Sequence, residues 1–78
     1  MRTLIEACMS DQGPWLPAQL TDERSYYGHP VVIVEGETLP RSPIEVFMIR
    51  AVQGTDDVLL EEARQAGYVV YHAEHAVH

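Results

Sequence analysis

Histidines near the end of the chain are the residues whose type and spacing come nearest to a known chemistry. His72, His75 and His78 recur every three residues, a spacing at which imidazoles on one helical turn can share a zinc ion. The segment follows a predicted strand, however, and on a strand His75 would point away from the other two. Glu74 is the one further ligand nearby. We therefore expect no specific metal site and interpret residues 73–78 as a frayed tail.

Nucleophilic catalysis needs a reactive side chain with a base beside it, and the sequence offers no such arrangement. Ser10, Ser25 and Ser42 fall in predicted turns without a surrounding signature. Cys8 falls within a predicted strand, where we expect its thiol to be packed and unreactive. The five glycines each mark a turn or a helix end and form no phosphate-binding loop.

One segment rich in aromatic rings is a candidate for binding a small molecule. Arg24, Tyr26, Tyr27 and His29 lie close together in the sequence and would suit a nucleotide pocket. One alternative is therefore a small metal- or nucleotide-binding enzyme domain. The other interpretation, which we favour, is that these rings cover a β-hairpin. We expect neither catalysis nor a cofactor.

Acidic side chains provide the clearest functional clue. The 78 residues include 12 acidic and 5 basic ones, all of them arginine, for a formal net charge of −7. We do not expect nucleic-acid binding through a basic patch, because the arginines are scattered along the sequence and outnumbered by acidic residues. Residues 55–78 carry five of the acids and one arginine. Four of those acids fall on one predicted helix: Asp56, Asp57, Glu61 and Glu62.

That helix is the best-defined element in the sequence. Thr55 is the predicted N-cap, and Gly67 is the residue predicted to end the helix. Leu59, Ala63 and Ala66 recur at helical spacing and form one apolar stripe. With the stripe packed inward, the helix acids face solvent.

Strands are predicted from alternating or continuous apolar runs. The Val-rich second run is apolar on both faces, which fits a central strand, and it should form an antiparallel hairpin with the third run. A helix between the third and fourth runs predicts a parallel crossover. Residues 14–30 are the least regular part, with Pro17 predicted to open a short helix. The four predicted strands are residues 3–10, 31–34, 44–53 and 68–71.

These elements predict an α+β fold in one compact domain, residues 1–78. We expect a small mixed or antiparallel sheet of three to four strands with one principal helix packed on one face. Leu, Ile, Val and Phe make up 20 of the 78 residues, more than is usual in disordered chains. The sequence has no signal-peptide core and no run long enough to span a bilayer, and it contains one cysteine, so we expect a cytoplasmic protein.

A second acidic locus lies on the Pro-rich connection between residues 35 and 43. Glu35 and Glu37 lie beside Leu39, an apolar residue that we expect to be exposed and to anchor a contact. Carboxylates arrayed on a surface speed and orient association with a positively charged partner, and they compete with nucleic acid for its Arg and Lys side chains. The other interpretation of such a surface is a solvated face that keeps the protein soluble.

A very small, acidic chain without catalytic motifs, and without Lys or Asn, resembles the anti-CRISPR proteins of phages and mobile elements. The resemblance covers the overall character of the chain and no motif, so it assigns no role to any residue. It implies an inhibitor that occupies the DNA-binding surface of a CRISPR surveillance complex, in some cases as an acidic DNA mimic. The expected target is a basic protein or nucleoprotein complex in the bacterial host cytoplasm, with no direct nucleic-acid or membrane contact. The predicted partner-binding residues are Asp56, Asp57, Glu61, Glu62, Glu35, Glu37 and Leu39.

Two further alternatives stay open from the sequence. An acidic antitoxin or immunity-type protein would use the same acids to neutralise a basic toxin. A homodimer would pair through the Val-rich strand, bury Leu39, or link two copies of Cys8 by a disulfide.

Overall fold

Five β-strands and one α-helix make up the part of the chain that the computed structural model describes, residues 1–26 and 28–71 without the side chains of residues 24–26. The predicted α+β class is confirmed, and the sheet has five strands instead of three to four. No helix among the described residues is long and apolar enough to cross a membrane. The elements are β1 (Arg2–Cys8), β2 (Trp15–Tyr26), β3 (His29–Val34), β4 (Met48–Ala51), α1 (Asp57–Ala66) and β5 (Val70–Tyr71).

The strand order across the mixed sheet is β3-β2-β1-β4-β5. β1 lies at the centre and pairs antiparallel with both β2 and β4, and β2 pairs antiparallel with β3. β4 and β5 are parallel, with Ile49 opposite Val70, so the predicted parallel connection through the helix is confirmed. The predicted hairpin between the Val-rich run and the strand after it is wrong, because these two strands lie on opposite sides of β1. Both runs are apolar on both faces, and this pattern does not indicate which strand is the partner.

The longest strand, β2, corrects the prediction of an irregular segment with a short helix from Pro17. Leu16, Ala18 and Leu20 alternate along it, and Ala18 and Leu20 are buried in the core. Pro17 is tolerated there because it needs to donate no ladder hydrogen bond, and its carbonyl accepts from the backbone N–H of Glu35 at 2.9 Å. The apolar residues of this segment alternate with the period of two that is typical of a strand, although Pro17 favoured the prediction of a helix start.

The Val-rich strand β3 lies at an edge of the sheet and not at its centre. The connection that follows covers this edge: Val32 and Arg41 exchange two backbone hydrogen bonds of 3.1 and 2.7 Å, and Glu37 donates to the carbonyl of Val34 at 2.9 Å. Val31 and Val32 are consequently both buried, although no strand of the described residues lies beyond them. An edge covered in this way is closed to pairing with a second chain.

Residues 44–53 form a shorter strand than predicted, because Pro43–Glu45 make a single 3-10 turn before it. The Glu45 carboxylate accepts hydrogen bonds from the backbone N–H of Ser42 at 3.2 Å and from its hydroxyl at 3.0 Å. These bonds to Glu45, together with the fixed φ of Pro43, favour the turn over an extended start. Ile44 is left 93 % exposed as a result.

Helix α1 begins one residue later than predicted. Asp56 is its N-cap, and the Asp56 carboxylate accepts from the backbone N–H of Leu59 at 3.0 Å. The Thr55 hydroxyl instead donates to the Leu4 carbonyl at 2.7 Å, which ties the helix entry to β1. Gly67 ends the helix with a φ of +114°, as predicted, because a residue without Cβ adopts this left-handed conformation without strain.

The hydrophobic core lies between α1 and one face of the sheet. Ile5, Ala18 and Val34 lie side by side on three strands, and Leu59 and Ala63 of α1 pack against this face, as predicted. The helix lies chiefly over β2 and β3. No helix or strand of the described residues lies over the opposite face of the sheet.

Candidate functional site

The predicted helix acids differ in how available their carboxylates are. Asp57 and Glu62 are exposed and make no ion pair with any other side chain in residues 1–26 and 28–71. Asp57 is the first residue of α1, and Glu62 follows in its second turn. Their charges are therefore fully presented to a partner.

Glu61 is exposed but already paired. Its two carboxylate oxygens accept from the guanidinium of Arg64, with 2.9 Å between Arg64 Nε and Glu61 Oε1, and Gln65 donates to it at 3.2 Å. The hydrogen bond from Arg64 lowers the pKa of Glu61. Glu61 therefore contributes less net charge to the surface than Asp57.

Asp56 has a structural task in this fold. Its carboxylate caps the helix, and its backbone N–H donates to the Thr3 hydroxyl at 2.6 Å. The residue is only partly exposed. A partner would therefore meet the Asp56 charge at the helix entry but would compete with Leu59 for its oxygen.

A shallow depression of about 320 Å³ separates the helix flank from the β2–β3 turn. Asp22, His29 and Pro30 line it from the turn side, and Glu62 and Gln65 line it from the helix. Two carboxylates from distant parts of the sequence thus face one depression. Sequence reasoning did not select Asp22, because its segment was predicted to be irregular.

The Asp22 carboxylate is paired with the N-terminal amino group of the chain. Its Oδ1 accepts from the amino group of Met1 at 2.7 Å, and this hydrogen bond lowers the pKa of the Asp22 carboxyl. His29, which the nucleotide-pocket alternative uses, is exposed at the depression. Tyr27 and the side chains of Arg24 and Tyr26, which the same alternative uses, lie outside the described residues.

The second predicted patch, on the connection after β3, is divided in the same way. Glu35 is exposed without an ion pair among the described side chains, whereas Glu37 binds Arg41 through both oxygens at 3.0 and 3.2 Å. Leu39 is 75 % exposed, as predicted. This patch therefore presents one unpaired carboxylate and one apolar side chain.

Arginine pairing explains where the net charge appears. Every arginine whose side chain is described binds a carboxylate, so none adds a free positive charge to the surface. The exposed acids that remain, Asp57 and Glu62 among them, keep an uncompensated negative field. The pairs are Arg2–Glu23, Arg41–Glu37, Arg50–Glu6 and Arg64–Glu61.

A cluster that the sequence gave no sign of lies on the face of the sheet opposite the helix. The Arg50 guanidinium lies over the Trp15 ring, 4.2 Å from its centroid, and binds Glu6 at 2.7 Å. The Tyr71 ring packs at 5.8 Å from the Trp15 ring, tilted by 46°. These residues come from four different strands, and they meet only through the sheet register.

The single cysteine is packed, as predicted. Cys8 is buried, and its thiol lies 2.8 Å from the carbonyl oxygen of Ser10 and 3.2 Å from that of Gly13. A disulfide between two copies of Cys8 would require this loop to open.

No group of three or more His, Cys, Asp or Glu side chains within the described ranges is arranged to hold a metal ion. His72, His75 and His78, like the whole predicted tail at residues 73–78, lie outside those ranges. Comparison with protein-family models, curated protein sequences and solved structures finds no match to this chain.

Proposed function

We propose that this protein is an inhibitor that binds a positively charged nucleic-acid-handling complex, specifically a CRISPR surveillance complex, and blocks its DNA binding. The observation that carries the proposal is the pair of exposed carboxylates on α1, Asp57 and Glu62, which make no ion pair with any described side chain. The proposal assigns the chain to the bacterial cytoplasm and gives it no catalytic role.

A rigid helix suits this task better than a flexible acidic loop. Asp57 and Glu62 are fixed by a capped helix whose buried side, Leu59 and Ala63, is locked into the core. Because their positions are set before binding, the partner's Arg and Lys side chains lose less conformational freedom on association. The same basic side chains would otherwise bind DNA phosphates, so occupancy by carboxylates and occupancy by DNA exclude one another.

The depression beside Glu62 gives the surface a shape as well as a charge. Asp22 on the opposite wall faces the same space, and a volume of about 320 Å³ admits an arginine or lysine head group. We assign the acidic surface to Asp57, Glu61, Glu62 and Asp22. A basic side chain of the partner enters between Asp22 and Glu62 and adds a directional contact.

The connection after β3 supplies the second contact in this proposal. Leu39 exposes an apolar side chain, and Glu35 lies four residues before it with its charge unpaired among the described residues. An apolar residue that becomes buried in a complex contributes about 1.5–3 kcal/mol, more than an exposed ion pair at the rim. Burial of Leu39 therefore mainly determines the dissociation rate, and the acidic residues mainly determine the association rate.

The test uses purified CRISPR surveillance complexes of several types, each with its guide RNA and a labelled target duplex. Added protein is expected to prevent target binding by at least one complex. The variant Asp57→Asn/Glu62→Gln keeps side-chain shape and removes two charges, and it should raise the half-inhibitory concentration about tenfold at low salt. The difference should shrink as salt is added, because exposed charges are screened.

A matched control separates the acidic surface from net charge. Asp11→Asn/Gln12→Lys changes the net charge by the same two units in the exposed loop after β1, and it should leave inhibition within about twofold. The proposal is wrong if no complex loses DNA binding, or if the helix variant inhibits as well as the parent. Neutralisation of a basic toxin by the same surface would instead support the antitoxin alternative.

A further inference from the structure

We infer that the face of the sheet opposite α1 is the interface of a homodimer, in which two copies pack sheet against sheet. The open sheet face is defined here by Leu4, Glu6, Trp15, Met48, Arg50 and Tyr71. This interface is separate from the acidic surface, and its test does not depend on the inhibitor proposal.

The strand register places these residues on one face. Glu6 is directly opposite Arg50, and Arg50 is directly opposite Tyr71. Cys8, two residues along β1 from Glu6, is opposite both Trp15 and Met48. Directly opposed residues project to the same side of a sheet, and residues alternate along each strand. Ile5 and Ala7, which lie between these positions on β1, point to the core side instead.

Side chains on the open sheet face are those that dominate protein interfaces. Trp15, Tyr71 and Met48 are only partly buried, and Leu4 is 57 % exposed. Tryptophan, tyrosine and arginine are the residues most enriched at interface hot spots, which lie near the centre of an interface. Trp15 and Arg50 lie on the two strands that flank central β1, so the cluster spans the middle of the strand order.

The outline of the molecule leaves room for a dimer interface of ordinary size. Its two longer dimensions are 36 and 25 Å, so the outline of one face is at most roughly 900 Å², and a standard-size interface buries about 800 Å² per partner. A 78-residue chain buries only about 60 % of its unfolded surface by itself, so a second layer over the sheet adds stability that α1 alone does not supply.

Charge and edge geometry select a second copy as the occupant. The acidic surface would repel itself, and Arg41 already covers the outer edge of β3, so neither suits self-association. The open sheet face carries one arginine, Arg50, and one acid, Glu6, which pair with each other, and it is thus nearly neutral. Two copies can meet there with their acidic helices pointing apart. A nucleic acid stacked on Trp15 would instead meet a chain of net charge −7.

Sedimentation equilibrium of the full chain tests this inference. Over a range of about 5–200 µM the mass should rise toward twice 8.8 kDa. Trp15 is the single tryptophan, so its emission should shift to shorter wavelength as dimers form. Leu4→Glu places a carboxylate in the interface and should weaken dimerisation at least tenfold, and Leu4→Ala should weaken it by a smaller factor. A reducing agent should have no effect, since the Cys8 thiol is enclosed.

Val58→Glu is the matched control, because it adds the same charge at a side chain that is 70 % exposed on α1. It should leave dimerisation unchanged, and circular dichroism should show that both Glu variants remain folded. A monomer at every concentration overturns the inference. So does a dimer that Leu4→Glu leaves intact, or a monomer whose Trp15 emission is quenched by a single-stranded oligonucleotide, which would assign the face to nucleic acid.

Discussion

The hydroxyl of Tyr68 donates a 2.7 Å hydrogen bond to the backbone carbonyl of Arg41. The same carbonyl accepts the N–H of Val32 at 3.1 Å. Tyr68 follows Gly67, where α1 ends, and Arg41 lies on the connection that covers the edge of β3. One carbonyl therefore joins the helix exit, the covering connection and the edge strand. Loss of the tyrosine hydroxyl should loosen all three together.

Tyr68→Phe tests that junction. The substitution keeps the buried ring, which is 2 % exposed, and removes its hydrogen bond to Arg41, so the free energy of unfolding should fall by about 1 kcal/mol. Urea denaturation followed by circular dichroism measures it. Tyr71→Phe is the control, because the Tyr71 hydroxyl makes no hydrogen bond within the described residues, and it should change the free energy by less than about 0.5 kcal/mol.

Alkaline stability should depend on the same side chain. Burial raises the pKa of the Tyr68 hydroxyl above its ordinary value of 10.0. A raised pKa for an acid means that the folded state resists ionisation, so stability is intact below pH 10 and falls as pH rises above it. Tyrosinate absorbance should therefore show one of the four tyrosines ionising only with unfolding. In Tyr68→Phe that delayed component should be absent, and stability should fall less steeply above pH 10.

Local signals were sufficient to predict the helix and its buried side. Leu59 and Ala63 recur at helical spacing, and Gly67 marks the helix end, so both features can be read within a few residues. The cap was misplaced by one residue, because Thr55 and Asp56 are both good N-cap residues. Thr55 is taken by a hydrogen bond to Leu4, fifty-one residues away in the chain, and no local pattern contains that contact.

Long-range pairing decides the features that the sequence did not predict. Trp15, Arg50 and Tyr71 have no common spacing, and they meet because β1 lies between β2 and β4. Asp22 joins Glu62 at one depression for the same reason, since α1 packs back onto β2 and β3. The acidic character of the helix was predictable, but which carboxylates remain unpaired depends on where each arginine lies in the fold.

Asp56 should contribute to the stability of the fold by capping α1, in addition to any contact that it makes with a partner. Asp56→Ala removes the cap on Leu59 and should lower the free energy of unfolding by about 1 kcal/mol, with a range of about 0.5–2. Asp56→Ser restores a capping oxygen without the charge and should recover most of that loss. Asp57→Ala, at the exposed next position, is the control and should cost less than about 0.5 kcal/mol. Equal effects of the two alanine variants would contradict the assignment of the cap.

The Glu6–Arg50 pair should show measurable coupling, because both side chains are about two-thirds buried, with 30 % and 32 % exposure. A double-mutant cycle with Glu6→Gln and Arg50→Met compares the unfolding free energies of the parent, both single variants and the double variant. The expected coupling is about 1 kcal/mol, at the upper end for a partly exposed pair. Arg50→Met should also shift the Trp15 emission, because the guanidinium leaves the ring, whereas Glu6→Gln should shift it less. Additive effects, with no coupling, would show that Arg50 is held by Trp15 alone.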